Sequence, residues 1–190
     1  LYCWGYNSHR DVSATSASNI GVATKRSAPA GVSLFGGSTF SQCAGIQSKG
    51  QLYCWGDNSD GQLGTGTSSV TAVSEPVVAK GLTSKPLAIN GGGDHIIILT
   101  TSGTLFTSGD SADLQTGNGS STDQQGFALA TKFTLSYVKA LGFQNTTCAL
   151  TTEGQVYCLG NNVYGAIGSG TSSSADVSDA TKVVAPIGVK

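Results

Sequence analysis

Methionine is absent from the 190 residues, proline occurs four times, histidine twice, and only 11% of residues are charged. Each scarcity closes off a class of function. With 10 Lys and Arg against 11 Asp and Glu, a net charge of −1 supplies no basic field for phosphate backbones or an anionic membrane surface, which argues against a nucleic-acid partner. No apolar run approaches the roughly 18 residues of a membrane span, and nothing at the amino end reads as a signal segment. The chain opens without methionine and inside a repeat motif, so we expect a piece of something longer.

Catalytic constellations are equally scarce. His9 and His95 cannot form a clustered metal site, and no serine stands out as a nucleophile with His and Asp converging on it. The clusters Gly36-Gly37 and Gly91-Gly92-Gly93 lack the Lys-Ser/Thr of a phosphate loop and read as tight turns. Asp57-Asn58-Ser59-Asp60-Gly61 superficially suggests a calcium loop but has no later bidentate Glu. No catalytic residue, cofactor, metal or small-molecule substrate is expected.

What the chain has in abundance is glycine, 27 residues of it, with many Ser and Thr, a composition that favours short strands and tight turns. The run Leu52-Tyr53-Cys54-Trp55-Gly56 recurs as Leu1-Tyr2-Cys3-Trp4-Gly5, Leu105-Phe106-Thr107-Ser108-Gly109 and Val156-Tyr157-Cys158-Leu159-Gly160, at glycine intervals of 51, 53 and 51 residues. A fixed period of this size marks a repeat architecture. Within each copy, segments such as Ile98 to Phe106 and Ala149 to Tyr157 read as two apolar arms about a Gly turn, the signature of a β-hairpin. A second hairpin-like element is expected where Gly61, Gly64 and Gly66 recur as Gly165, Gly168 and Gly170. Short strands follow at Pro76-Val77-Val78 or Val183-Val184 and at Leu87-Ala88-Ile89. Four short strands per unit of about 50 residues is the arithmetic of a propeller blade. The expected fold is all-β, with four-stranded antiparallel blades in three to four units: 1–5 (partial), 6–56, 57–109, 110–160 and 161–190 (partial).

These residues resemble the regulator of chromosome condensation repeat family. The run from Gly92 to His95, the strand Ile96 to Leu99, Gly103, and Tyr53 to Gly64 with its Gly-Gln-Leu-Gly carry the resemblance. The last copy carries it with Gly165-Ala166-Ile167-Gly168, and the first more weakly, since Asn7 to Ser13 contains no glycine. The resemblance implies a seven-bladed propeller of about twice this length, a structural role for His95, and Trp4 and Trp55 packed between blades.

Five cysteines occur, and the repeat organises four. Cys43 and Cys54 lie on two arms about Ser48-Lys49, and Cys148 and Cys158 on two arms about Glu153-Gly154, where facing Cα atoms come close enough for a disulfide. The third copy holds Ile97 and Thr107 instead, so both cysteines vanish together, as a pair requires. Free buried thiols are the alternative; zinc has no Cys-x-x-Cys to support it. Cys3 is left over, either bridged to a cysteine about ten residues upstream, free, or intermolecular. Disulfides of this kind persist in oxidising compartments, which points to an extracellular or cell-surface protein. Asn118-Gly119-Ser120 and Asn145-Thr146-Thr147 are candidate glycosylation sites, Asn118 the better placed in a polar turn.

The reading that results is a non-enzymatic extracellular propeller module for protein–protein interaction or structural assembly, as in a filament or surface appendage. Its partners would be proteins or neighbouring subunits, met by polar, uncharged loops. The alternative, which the resemblance supplies, is a regulatory propeller: a secreted enzyme inhibitor or a small-GTPase exchange factor.

Overall fold

The computed structural model describes residues 1–13, 15 and 18–184, and the described residues are almost wholly strand and turn. Three successive four-stranded antiparallel meanders form, comprising β3 (Leu34–Gly37), β4 (Ser41–Ile46), β5 (Gln51–Asn58) and β6 (Ser69–Val78); then β7 (Pro86–Gly91), β8 (His95–Thr100), β9 (Leu105–Gly109) and β10 (Gln124–Leu129); then β11 (Tyr137–Phe143), β12 (Thr146–Thr151), β13 (Val156–Gly160) and β14 (Val177–Lys182). Ahead of them β1 (Tyr2–Gly5) and β2 (Ile20–Lys25) make a two-stranded sheet. The sequence units are out of phase with these sheets: each sheet draws three strands from one unit and its fourth from the next.

The strands β3, β7 and β11 are the contact edge between neighbouring blades, and two apolar clusters fill the gaps. Cys43, Leu52, Cys54, Ile89, Ile96, Ile98, Phe106 and Phe127 fill the first, and Ile97, Leu99, Leu105, Phe133, Tyr137, Ala149 and Leu159 the second. Strand β8 serves both: Ile96 and Ile98 face one neighbour, Ile97 and Leu99 the other. That is why it reads as an unbroken apolar run where a one-sided strand would alternate.

At or near the end of the third strand of each blade stands a glycine whose φ is 105° at Gly56, 106° at Gly109 and 109° at Gly160. A Cβ there would stand 2.4 Å from the Phe40 carbonyl oxygen, 2.2 Å from that of Asp94 and 2.4 Å from that of Asn145. Those same carbonyls accept the amides of Asp57, Asp110 and Asn161. Two residues beyond the glycine, Asn58 and Asn162 organise the loop that follows. The Asn58 side-chain oxygen accepts the Leu63 amide (3.1 Å) and its nitrogen donates to the Thr67 carbonyl (2.9 Å). Asn162 repeats this with Ile167 and Thr171. Asn7 does the same with Val12 and Ser13, even though that loop has lost its glycines.

The glycine-rich element is thus not the hairpin that its spacing suggested. Asn58 supplies the hydrogen bonds a partner strand would give; the loop drives Leu63 into the cluster between blades, and its counterpart Ile167 is likewise fully buried. Val183-Val184, expected as a strand, lie just past β14, where their amides donate to the Val156 and Gly168 carbonyls. Trp4 also departs from expectation: it is 65% exposed, whereas Trp55 is completely buried.

Side chains of one blade reach the loop carbonyls of the blade before it. Trp55 Nε1 donates to the Asp11 carbonyl (2.8 Å), Ser108 Oγ to that of Gln62 (2.7 Å), and Thr147 Oγ1 to that of Gln115 (2.6 Å). Asp11, Gln62 and Gln115 occupy one repeat position, four residues after the loop-organising Asn7, Asn58 or Ser111. At the third junction Leu159 stands where Trp55 and Ser108 stand in theirs and cannot donate, so Thr147 does so from the adjacent strand.

Thr147 then serves a second group. Because its hydroxyl hydrogen is directed at Gln115, the His95 Nε2–H donates to Thr147 Oγ1 (2.9 Å), and Nδ1 is left buried without a partner. Burial pushes the His95 pKa down to about 4, so the fold holds the ring neutral.

Ser108→Ala, which removes the donor to the Gln62 carbonyl and leaves a buried acceptor unpaired, is expected to cost about 1–3 kcal/mol in chemical denaturation. Ser102→Ala, in an exposed turn, is expected to change little. The unfolded His95 binds its proton near pH 6.5 and the folded one only near 4, so stability is lost as pH falls through that window, by about 3 kcal/mol in all. His95→Gln retains a donor for Thr147 and is expected to flatten that part of the pH–stability profile relative to the unmodified chain.

Candidate interaction surface

An antiparallel meander sends the loops after its first and third strands to one end of the molecule. Those loops, with the residues at their strand ends, hold Asp11, Asp57, Asp60, Asp94, Asp110, Asp113, Asp123 and Asp176, and among the described residues Arg10 is the one Lys or Arg there. The opposite loops carry Arg26, Lys49, Lys80, Lys85 and Lys132 against Glu153. The loops expected to be uncharged are therefore strongly polarised, and the near-zero net charge conceals it because the two signs cancel along the sequence.

The densest part lies between the first two blades, where carboxylate oxygens of Asp57, Asp60 and Asp94 come within 4.8 Å of one another. Burial pushes the Asp60 carboxyl above its ordinary range, with repulsion from Asp123, Asp110 and Asp57 adding to it against a hydrogen bond from Ser59. Asp94 is raised likewise, first by burial and then by Asp60, Asp57 and Asp110. Asp176 is raised by burial and then by Asp113. Asp57 is tied down: Oδ1 accepts the Asn58 amide (2.9 Å), and Oδ2 accepts from Ser59 Oγ (3.0 Å) and Gln62 Nε2 (3.2 Å). Gln115 holds Asp110 in the same way one blade on, at 2.7 Å.

Beside this cluster the first loops of the three blades converge. The Thr39 amide reaches the Gly92 carbonyl and the Gly93 amide the Gln144 carbonyl. They enclose a concavity of about 520 Å³ lined by Phe40, Gly92, Asp94, Phe143 and Gln144 among others. Phe143 is exposed at 56%, and His9 lies over Phe40 with ring centroids 4.4 Å apart. The arrangement is a rigid acidic rim around an aromatic-edged hollow, suited to a cationic protein surface.

The cysteines sit away from this end, in the blade walls. Cys43 faces Cys54 and Cys148 faces Cys158 in strand register, each pair disulfide-bonded with Cα atoms 4.1 Å apart. Ile97 and Thr107 face each other at the cysteine-free position. Cys3 is the free cysteine, half-buried. Of the two sequon asparagines, Asn118 donates to Gln124 Oε1 (2.8 Å) from a half-buried turn, and Asn145 donates to Asp113, with the third sequon residue, Thr147, fully buried. The repeat motif contains Asn7, Asn58 and Gln62, but their loop-locking roles, shared by Asn162 and Gln115, are not legible in it, although the recurrence of Asn two places after Gly is.

Asp94→Asn, which removes a half-buried charge repelled by Asp60, Asp57 and Asp110, is expected to raise the thermal midpoint at pH 7 in low salt. The gain should fade as pH falls through the raised folded pKa toward the ordinary carboxylate value, because the charged site is a full cost above the folded pKa and none below the unfolded one. Asp57→Asn is expected to gain less, since the same charge-relief is offset by weakened bonds to Asn58, Ser59 and Gln62.

A model of the Regulator of chromosome condensation (RCC1) repeat matches residues 49–99, and a second model of that repeat matches residues 140–166. Among curated proteins, the human X-linked retinitis pigmentosa GTPase regulator is 29% identical over 145 residues, and human probable E3 ubiquitin-protein ligase HERC4 is 32% identical over 133. These alignments cover 75% and 65% of the chain but only 14% and 12% of the relatives. Among solved structures, human WBSCR16 superposes with a TM-score of 0.77 at 19% identity, covering 94% of the chain and 46% of that protein. Prp20p from Saccharomyces cerevisiae, described with its binding to Gsp1p and histones, superposes at 0.73 and 17% identity, covering 82% and 39%. The blades described above are thus β-propeller blades, and the chain is built from regulator of chromosome condensation repeats and belongs to that repeat family.

Proposed function

We propose that this chain is a non-enzymatic protein-binding module whose aspartate-lined end is the binding surface, and that its partners present clustered positive charge. The observation that carries this is the segregation of charge: among the described residues, eight aspartates stand at one end with a single arginine among them. Such a surface steers a cationic partner and rejects an anionic one. The rim is rigid because the loops are locked by Asn58, Gln62 and Gln115 to the strands beneath, so little ordering entropy is lost on binding. Prp20p, with the same fold, is described as binding two protein partners, which supports protein recognition as the class.

The cross-strand disulfides favour an oxidising location, extracellular or cell-surface, and with it a role in assembly or a surface appendage. Asn118, in its solvent-side turn, is the better glycan acceptor; a glycan on Asn145 would break its bond to Asp113. The regulatory alternative, a secreted enzyme inhibitor or small-GTPase exchange factor, would use a protein-binding surface of the same kind. Free thiols at Cys43, Cys54, Cys148 and Cys158 in peptide maps of native protein under non-reducing conditions would overturn the extracellular reading and favour the exchange factor.

Titration of a lysine-rich synthetic peptide by calorimetry is expected to give binding that weakens steeply with salt. The triple variant Asp60→Asn, Asp94→Asn, Asp123→Asn should lose most of that salt dependence, whereas Lys49→Ala with Lys85→Ala at the other end should leave it unchanged. Equal binding by both variants would remove the acidic end as the interaction surface.

A further inference from the structure

Asparagine is followed directly by glycine at Asn90-Gly91 and at Asn118-Gly119, and the fold treats the two pairs oppositely. Asn90 and Gly91 belong to β7, where they face Ile97 and Ile96 in the ladder with β8. Extended backbone holds the glycine nitrogen away from the asparagine side chain. Nor can the strand turn freely, since a Cβ on Gly91 would stand 2.6 Å from the His95 carbonyl oxygen and 2.7 Å from that of Gly37. Asn118 and Gly119 lie instead in the loop between β9 and β10, and both Gly119 and Ser120 are exposed.

Thr65, Asn118 and Ser169 occupy one repeat position, each between two glycines, so the second copy alone puts a carboxamide there. In the first copy the amide after that position is engaged: Gly66 donates to the Gln125 carbonyl (2.8 Å). The Gly119 amide has no acceptor among the described residues, and glycine has no side chain to screen its nitrogen. Asn118 folds its own side chain back over that peptide. Its Oδ1 accepts the Ser120 amide (2.7 Å), closing an Asx turn across Gly119, and its Nδ2 donates to Gln124 Oε1 (2.8 Å). One exposed turn thus holds a bare backbone nitrogen and the carboxamide carbon it can attack. The oxygen that gains charge during such an attack already has a donor in the Ser120 amide.

We propose that Asn118 is a self-modification site, which deamidates through a succinimide formed with Gly119 while Asn90 is protected by its strand. The Gly119 nitrogen gives up its proton and bonds to Asn118 Cγ; the Cγ–Nδ2 bond breaks, and the amide nitrogen takes up that proton and leaves as ammonia. Water then opens the succinimide at either carbonyl, leaving aspartate or isoaspartate, and nothing is oxidised or reduced. In the isoaspartate product the main chain runs through the former side chain and is longer by a methylene. The lengthened segment is the one whose carbonyls at Asn118 and Ser120 accept Thr131 Oγ1 (3.3 Å) and Ser111 Oγ (2.6 Å). Conversion therefore loosens the loop that presents the Gln115 carbonyl to Thr147. It also removes the nitrogen a glycan would occupy, so an Asn118 that converts first is lost as an acceptor.

The test is incubation of the folded chain, produced in a host that adds no N-glycans, at mildly alkaline pH. Peptide mass spectrometry follows the conversion of each asparagine, and a protein isoaspartyl methyltransferase scores isoaspartate. Asn118 is expected to convert at least about tenfold faster than Asn90, which must wait for local opening of β7. In the chain unfolded by guanidinium the two sites should convert at similar rates, which assigns the difference to the fold. Gly119→Ala, which screens the attacking nitrogen, should slow conversion at Asn118 by about tenfold. Equal rates at the two sites in the folded chain, a difference that persists after unfolding, or a Gly119→Ala chain that converts as fast as its parent would each overturn the proposal. None of these results bears on the acidic surface, and failure of that surface to bind a cationic peptide would leave the chemistry at Asn118 untouched.

Discussion

Successive blades are held in register by a buried carbonyl. At three junctions the loop between the third and fourth strands turns one backbone oxygen toward the following blade, and that oxygen must be met by a donor once water is excluded. Trp55, Ser108 and Thr147 meet it at three successive junctions with an indole, a hydroxyl and a hydroxyl from a neighbouring strand. The chemistry varies while the acceptor does not. Apolar contact between blades is large but non-directional and would tolerate sliding; a single acceptor at a fixed height does not. The residue that shapes each loop, Asn7, Asn58 or Ser111, the glycine that lets the strand end pass the neighbouring turn, and the neutral His95 all serve to bring that carbonyl and its donor together.

Much of this architecture was legible in the chain. The 51- to 53-residue period, the Gly-terminated third strand and the coupled gain and loss of cysteines are local patterns, and local patterns determine hairpins. Facing positions such as Cys43 and Cys54 follow from counting along a hairpin, so their register could be read directly. The element after Asn58 was misjudged because its glycines have the spacing of a hairpin, while the stabilising partner is a side chain folding back on its own loop. Trp4 was misjudged for another reason: burial belongs to neighbours, and an identical Tyr-Cys-Trp-Gly run is wet or dry according to what packs against it.

The acidic end was not legible at all. Asp57, Asp94, Asp113 and Asp176 are distributed through the chain at intervals that look unremarkable, and composition sums their charge against lysines that the meander sends to the other end. A linear reading has no access to that sorting, since it depends on which loops follow odd-numbered strands and which follow even ones. The candidate surface is consequently a product of topology acting on a balanced composition. Its aspartates are held apart from compensating cations by about the length of a strand, and burial first, then repulsion from neighbouring carboxylates, raises Asp60 and Asp94.

The double-sided burial of β8 has a consequence for the life of the protein outside its native state. Ile96-Ile97-Ile98-Leu99 is short, uncharged, apolar, β-branched at three of its four positions and free of proline, the composition that stacks into cross-β aggregates when left uncovered. In the native fold its two faces are covered by neighbouring blades on either side, so its protection is collective. Asp94 and His95 before it and Thr100-Thr101 after it are the polar gatekeepers the sequence provides. Partial unfolding that peels one blade from the stack therefore exposes an adhesive surface, and pressure against aggregation favours an all-or-none union of blades over independent ones.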